Sequence, residues 1–255
     1  MRPSWFLALA AAALCASAAR AADLTVMATG SMRAPLQTAA DQFAKASGHS
    51  LAFVSGTTAM VMNKVRAGEK FDVIAISTES FAALEREGRT VPATLKPIGE
   101  ARLGVGVRAG APSPDISTPE AFKQAVLKAK SIGYPDPALG AITGTYLVAL
   151  FDNMGIGPQA MAKTVVKPMG ADVVEAVGKG EIEMAISFVS EMIPDKRVKV
   201  VGTLPPAILN PTPYGIAVST GTASPEAARA FVAYVTGPQG AAVLKAAGIA
   251  PTAGR

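Results

Sequence analysis

From Leu24 onward, short apolar runs alternate with helix-period segments along most of the chain, a pattern few architectures accept. A strand buried on both faces reads as a continuous apolar run, and a core-facing helix as apolar residues spaced three and four apart. Leu24-Thr25-Val26-Met27-Ala28 reads as the first strand. Pro35 sits near a predicted helix start after Thr29-Gly30-Ser31, and Leu36, Ala39, Ala40 and Phe43 form the stripe that Gly48 ends. Leu51–Val54, a helix through Arg66, Val73–Ile76 and a helix with Phe81 and Leu84 continue the alternation. Further predicted strands are 102–108, 132–134, 164–167, 183–188, 198–202 and 214–218, with helices between them and two more at 225–234 and 238–246. Such alternation predicts an α/β fold with mainly parallel sheets.

With 255 residues, half of them apolar, the chain can bury one large core or two lobes. Breaks at Ala109-Gly110-Ala111-Pro112 and from Pro205 to Pro213 suggest where it passes from one lobe to the other. The expected division is a leader at 1–21, a first lobe of 22–106 plus 211–255, and a second of 107–210. The leader has a positive start at Met1-Arg2, an apolar run from Trp5 to Leu14, and Ala19-Arg20-Ala21 as an A-x-A cleavage pattern. Export to the periplasm is expected, with the mature chain starting near Ala22. Cys15, the one cysteine, leaves with the leader; Leu14 directly before it does not fit a lipid-attachment site. The mature chain then offers no disulfide and no thiol chemistry.

Most motif-borne enzyme classes are missing. His49, the one histidine, stands in a Gly48-His49-Ser50 turn with no cysteine or second histidine to share a metal, so no metal or cofactor is expected. There is no G-x-S-x-G elbow, no phosphate-binding P-loop, and no G-x-G-x-x-G after the first strand. Gly104-Val105-Gly106 lies inside a strand and suits close packing. The net charge of +5 falls to +3 once Arg2 and Arg20 leave, and Lys196, Arg197 and Lys199 form its densest cluster. Nucleic-acid binding wants a concentrated basic face with stacking aromatics, which 5% aromatic content does not supply.

Three strand-to-helix junctions share one chemistry: Thr29-Gly30-Ser31, Ser55-Gly56-Thr57-Thr58 and Ser77-Thr78. Ligands of open α/β sheets bind at these strand ends, where helix amides and dipoles attract anions. Ser31, Thr57, Thr58 and Ser77 are candidate donors, with plain N-capping as the alternative at each. Arg33 could fork onto a carboxylate or simply face solvent. In the second half, the stretch from Pro137 to Gly144, with Ala141 and Thr143, and Met169-Gly170-Ala171-Asp172 could present amides from the opposite side of a cleft, completed by Ser187 and Ser190.

Leu24–Met32, Ser55–Met60, Phe71-Asp72-Val73-Ile74 and the 225–231 helix, in that order, resemble the molybdate-type periplasmic binding proteins of ABC importers. The resemblance implies a type II periplasmic-binding-protein fold: two α/β lobes joined by two crossover segments around a ligand cleft, with the C-terminal helices returning to the first lobe. It also implies a monomer that passes a small anion to an inner-membrane permease. Its oxyanion-binding hydroxyls fall on Ser31 and on Thr57 or Thr58, and its second-lobe amides near Ala141 and Asp172. Its tyrosine falls near Val189, which has no side-chain donor. Gly30-Ser31-Met32-Arg33, the 114–120 stretch and Ser190-Glu191-Met192-Ile193-Pro194 look like a branch that includes aconitate isomerase, a cofactor-independent enzyme. On that branch the ligand would be a tricarboxylate, and Glu191 the carboxylate to test first as the base.

Overall fold

The computed structural model describes residues 21–252, so the expected leader lies outside the described residues except for Ala21. The first stretch builds β1 (Asp23–Thr29), α1 (Gly30–Ser47), β2 (Ser50–Gly56), α2 (Thr58–Arg66), β3 (Val73–Ser77), α3 (Phe81–Arg86) and β4 (Lys96–Ala101). The next builds β5 (Leu103–Arg108), α4 (Pro119–Lys128), β6 (Ile132–Pro135), α5 (Ile142–Asn153), α6 (Gly157–Met161), β7 (Thr164–Lys167), α7 (Gly170–Lys179), β8 (Met184–Phe188), α8 (Val189–Met192) and β9 (Val198–Thr203). The chain then returns through β10 (Thr212–Val218), α9 (Pro225–Thr236), α10 (Pro238–Ala246) and β11 (Ile249–Ala250).

These strands make two sheets, ordered β11-β4-β10-β3-β1-β2 and β7-β6-β8-β5-β9. β1 runs parallel to β2 and β3, and β6 parallel to β7 and β8. The expectation of mainly parallel sheets needs correcting, because β10 is antiparallel to β3 and β4, and β5 is antiparallel to β8 and β9. These are strands beside the passages between sheets; an antiparallel neighbour needs no helical crossover, so the βα alternation does not announce it. β4 ends at Ala101 in the first sheet and β5 begins at Leu103 in the second, so the first passage is at Arg102. The 109–112 break is instead a turn after β5, closed by the Ala111 amide on the Arg108 carbonyl at 3.0 Å.

All five residues of β3 and all five of β8 are buried, as central strands covered on both faces require. Against the first sheet, α1 buries Met32, Leu36, Ala39, Ala40 and Phe43, and Phe43 meets Phe231 of α9 at 5.4 Å between ring centroids. The helix stops at Gly48, whose φ of 77° is the left-handed cap that glycine adopts without strain. α1 starts at Gly30, not near Pro35. Pro35 is tolerated inside it because the missing amide removes only one bond near the helix start, to the Ser31 carbonyl. Asp72 accepts from the Thr25 amide at 2.8 Å and from the Thr222 hydroxyl at 2.5 Å, tying β1 and the segment after β10 to the entrance of β3.

Candidate functional site

The parallel strands of both sheets deliver helix starts to one small cavity. Its volume is about 40 Å³, room for only a few waters or one compact group. From the first sheet come Thr29, Gly30, Ser31, Gly56, Thr57 and Thr58, and from the second Ala141, Ile142, Thr143, Gly170 and Glu191. Gly30, Thr58, Ile142 and Gly170 are the first residues of α1, α2, α5 and α7, helices of 18, 9, 12 and 10 residues. Four sets of opening amides and four positive helix ends therefore surround the same space, an arrangement that favours an anion.

The hydroxyls divide by what they already bond. The buried Ser31 hydroxyl donates to the Tyr214 oxygen at 2.8 Å, with Thr29 Oγ1 3.3 Å from Ser31 Oγ. Burial pushes the Tyr214 phenol up to about 12, against the pull of its bonds to Ser31 and Thr29, so it stays a neutral hydroxyl near pH 7. Thr57 is the N-cap of α2, accepting from the Met60 amide at 3.2 Å, and it donates its proton to the Leu139 carbonyl at 2.7 Å. That second bond links the start of α2 to the short turn Pro137–Leu139 across the cleft. Next to it, Gly140 (φ 73°) lies so close that a Cβ there would stand 2.4 Å from Ala59 Cβ. Thr58 makes no side-chain hydrogen bond among the described residues, which leaves it as the hydroxyl available from this junction.

Ala141 and the buried Thr143 line the cavity at the start of α5. Asp172 does not line it: its amide donates to the Met169 carbonyl at 3.1 Å and its carboxylate accepts from the Met169 amide at 3.0 Å, so the amide nearest the cavity at this helix start is that of Gly170. Ser77 opens onto a neighbouring hollow of about 140 Å³ that shares Ile142, Thr143 and Phe188 with the first. Ser190 is buried away from the cavity, its hydroxyl without a partner among the described residues.

Arg33 also points elsewhere. Its guanidinium lies over the Phe53 ring at 4.6 Å from the centroid and donates to Gln37 Oε1 at 2.5 Å. With α1 already begun at Gly30, Arg33 is two helical residues past Ser31, and such residues face opposite sides. Arg33→Ala is accordingly expected to leave anion affinity within about twofold in calorimetry, since no bond to the ligand is lost. A tenfold loss would place the guanidinium at the ligand.

One residue of the site, Tyr214, was beyond reach from sequence order, and a second, Glu191, was expected there only on the isomerase branch. Tyr214 enters from β10, an antiparallel strand whose amino end, not its carboxyl end, meets the cavity. It brings a phenol to the cavity, whereas Val189, where the resemblance placed the family's tyrosine, faces Gly104 and Gly248. Among the described residues, Glu191 is the one carboxylate lining the cavity. Its Oε2 accepts from Ser187 Oγ at 2.5 Å, and a Cβ on Gly170 would stand 1.9 Å from that oxygen. Burial raises this carboxyl to about 7, opposed by hydrogen bonds from Ser187 and the Phe188 backbone and aided by the like charge of Asp172. A larger hollow of about 550 Å³ lies under the 111–115 loop, away from the strand ends that converge on the cavity.

Residues 24–250 match the bacterial extracellular solute-binding protein family. Aconitate isomerase from a Pseudomonas species is 30% identical over 237 residues, covering 89% of this chain and 87% of that protein. The molybdate-binding protein ModA of Azotobacter vinelandii is 26% identical over 242 residues, covering 93% of each. The fold superimposes on the periplasmic molybdate-binding protein structure from the same organism with a TM-score of 0.76 at 22% identity, over 90% of this chain and 100% of that one. Among the described residues, no helix is long and apolar enough to cross a membrane. This chain belongs to the bacterial extracellular solute-binding protein family.

Proposed function

We propose that this chain is the periplasmic capture protein of an ABC importer, closing two lobes on a small anion and handing it to an inner-membrane permease. The observation that carries this reading is the convergence of four helix starts, with the hydroxyls of Ser31, Thr58 and Thr143, on one cavity between the two sheets. The lobes of this reading are 22–106 with 211–255, and 107–210; it further holds that residues 1–21 direct export, that cleavage falls near Ala21, and that the mature chain works as a monomer without a cofactor. A melting screen of the mature protein against molybdate, tungstate, sulfate, citrate and both aconitates tests it. An anion at about 100 times its Kd adds ~2.7 kcal/mol of stability, which raises Tm by roughly 5–10 °C for a chain of this size. A screen with no shift for any anion at millimolar concentration would sink the reading.

Glu191 supports a second reading, an aconitate isomerase-like enzyme. A carboxyl poised near 7 can take a proton from an allylic carbon and return it at the other end of the shifted double bond, with no net change in protons. The hollow beside Ser77 would have to hold the remaining carboxylates of a tricarboxylate. Deuterium entering trans-aconitate in heavy-water buffer, and its loss in Glu191→Gln, is the expected signature; a substrate left unlabelled by the wild-type protein would remove this reading.

A further inference from the structure

Glu191 is an odd group to find where four helix starts converge. Its Oε1 lies 3.0 Å from where a Cβ on Gly30 would stand and its Oε2 1.9 Å from one on Gly170, so the carboxylate rests against the first residues of α1 and α7. No ion pair among the described residues involves it. From α7, Asp172 faces it with a like charge, while Glu175 and Lys179 pair with each other in solvent. From α1, Arg33 is turned to Phe53 and Gln37, and Asp41 and Lys45 are exposed. β8 carries no charged group; on β5 and β9, Arg108 and Lys199 are exposed, and β10 brings the neutral Tyr214. Arg102, ahead of β5, has a buried Nε with no partner and makes no ion pair with Glu191.

The cavity is thus lined by amides and hydroxyls, all able to donate, with one carboxylate among the described residues. Amides and hydroxyls can bond any oxyanion, but an ionised Glu191 can only accept. A guest whose oxygens carry no hydrogen would press lone pairs on lone pairs, and negative charge on negative charge, in a space too small to keep much water between them. We propose that Glu191 sets the specificity of the cleft: it accepts the O–H of an anion that carries one, as monohydrogen phosphate or a hydroxy acid does, and discriminates against oxyanions without a proton unless it is protonated itself. This rests on the anion-capture reading and narrows it to a ligand class.

Inorganic phosphate and sulfate test it, because at pH 8 the two are dianions of nearly one shape that differ by the proton. A second pair, malate and succinate, differs by one hydroxyl and serves if the cleft takes carboxylates. Calorimetry of the mature protein is expected to show a preference of about tenfold or more for the O–H member, the scale of a hydrogen bond to a charged group. Any binding of sulfate should take up close to one proton, read from buffers of different ionisation enthalpy, and weaken about tenfold per pH unit above neutrality. Glu191→Gln should retain its fold by melting, lose the proton uptake and bring the two members of a pair within about threefold, since an amide can also donate. Equal affinities for both members of a binding pair, or a preference unchanged in Glu191→Gln, would overturn the proposal and leave anion capture standing. Silence of both pairs at millimolar concentration would overturn anion capture of these classes, and the proposal with it.

Discussion

Gly144→Ala is expected to destabilise the protein by about 1–3 kcal/mol, the usual penalty of overpacking, and to cost most of its anion affinity. Gly144 is the third residue of α5, and its bare Cα lets that helix start rest on the end of β6. A Cβ there would stand 2.1 Å from the Pro135 carbonyl oxygen and 2.9 Å from the nitrogen and Cδ of Pro137. None of these atoms belongs to a side chain that can swing aside, so α5 itself must move. Ala141 and Thr143, which line the cavity three and one residues before it, would move with the helix. Misplacing such a group by about 1 Å can cost on the order of 100-fold where geometry matters. Chemical denaturation and calorimetry of the same variant read the two effects separately. A variant as stable as the wild type, with unchanged affinity, would show that the approach of α5 to β6 is not needed.

Much of this architecture could be read from residue pattern alone. β3 and β8 are continuous apolar runs, and α1 carries its stripe from Met32 to Phe43, so period and burial coincide. β4 was invisible: Lys96-Pro97-Ile98-Gly99-Glu100-Ala101 has no strand period, and it becomes a strand by pairing with β10 and β11, more than a hundred residues away. Sheet direction was likewise hidden, because antiparallel crossover strands leave no trace in a βα alternation. In the site, hydroxyls and glycines at strand ends were legible by type, which brought Ser31, Thr57, Thr58, Ala141 and Thr143 to the cavity. The place of Arg33 turns on where α1 begins: with Pro35 near the helix start the arginine falls in a turn beside Ser31, whereas in a helix begun at Gly30 it faces away, toward Phe53. Tyr214 comes from a strand that enters the site backwards, and the setting of Glu191 depends on α1, α7 and β8 closing around it. Both are properties of tertiary packing, and no local pattern encodes them.

That setting has a consequence for stability that Glu191→Gln should expose. Burial raises the Glu191 carboxyl from an ordinary 4.5 to about 7, so the folded protein holds this proton more tightly than the unfolded chain does. Between those values the native state binds more protons, and stability must fall as pH rises. The favourable contribution is complete below about 4.5, declines through the interval and is gone above about 7. A shift of this size corresponds to at most about 3 kcal/mol, at 1.36 kcal/mol per unit. The comparison is wild type minus Glu191→Gln, because carboxylates such as Glu175 and Asp195, held below their usual range by Lys179 and Arg197, act in both proteins and lose their contribution only as pH falls through the acid range. Urea denaturation across pH 4 to 8.5 should show that difference declining to a plateau near neutrality, with the glutamine variant the relatively stronger protein at high pH. A flat difference would mean that the carboxyl titrates as it does in water, open to solvent, and is not enclosed between the glycines of α1 and α7. A decline confined to pH above 7 would mean that a group other than this carboxyl governs the change.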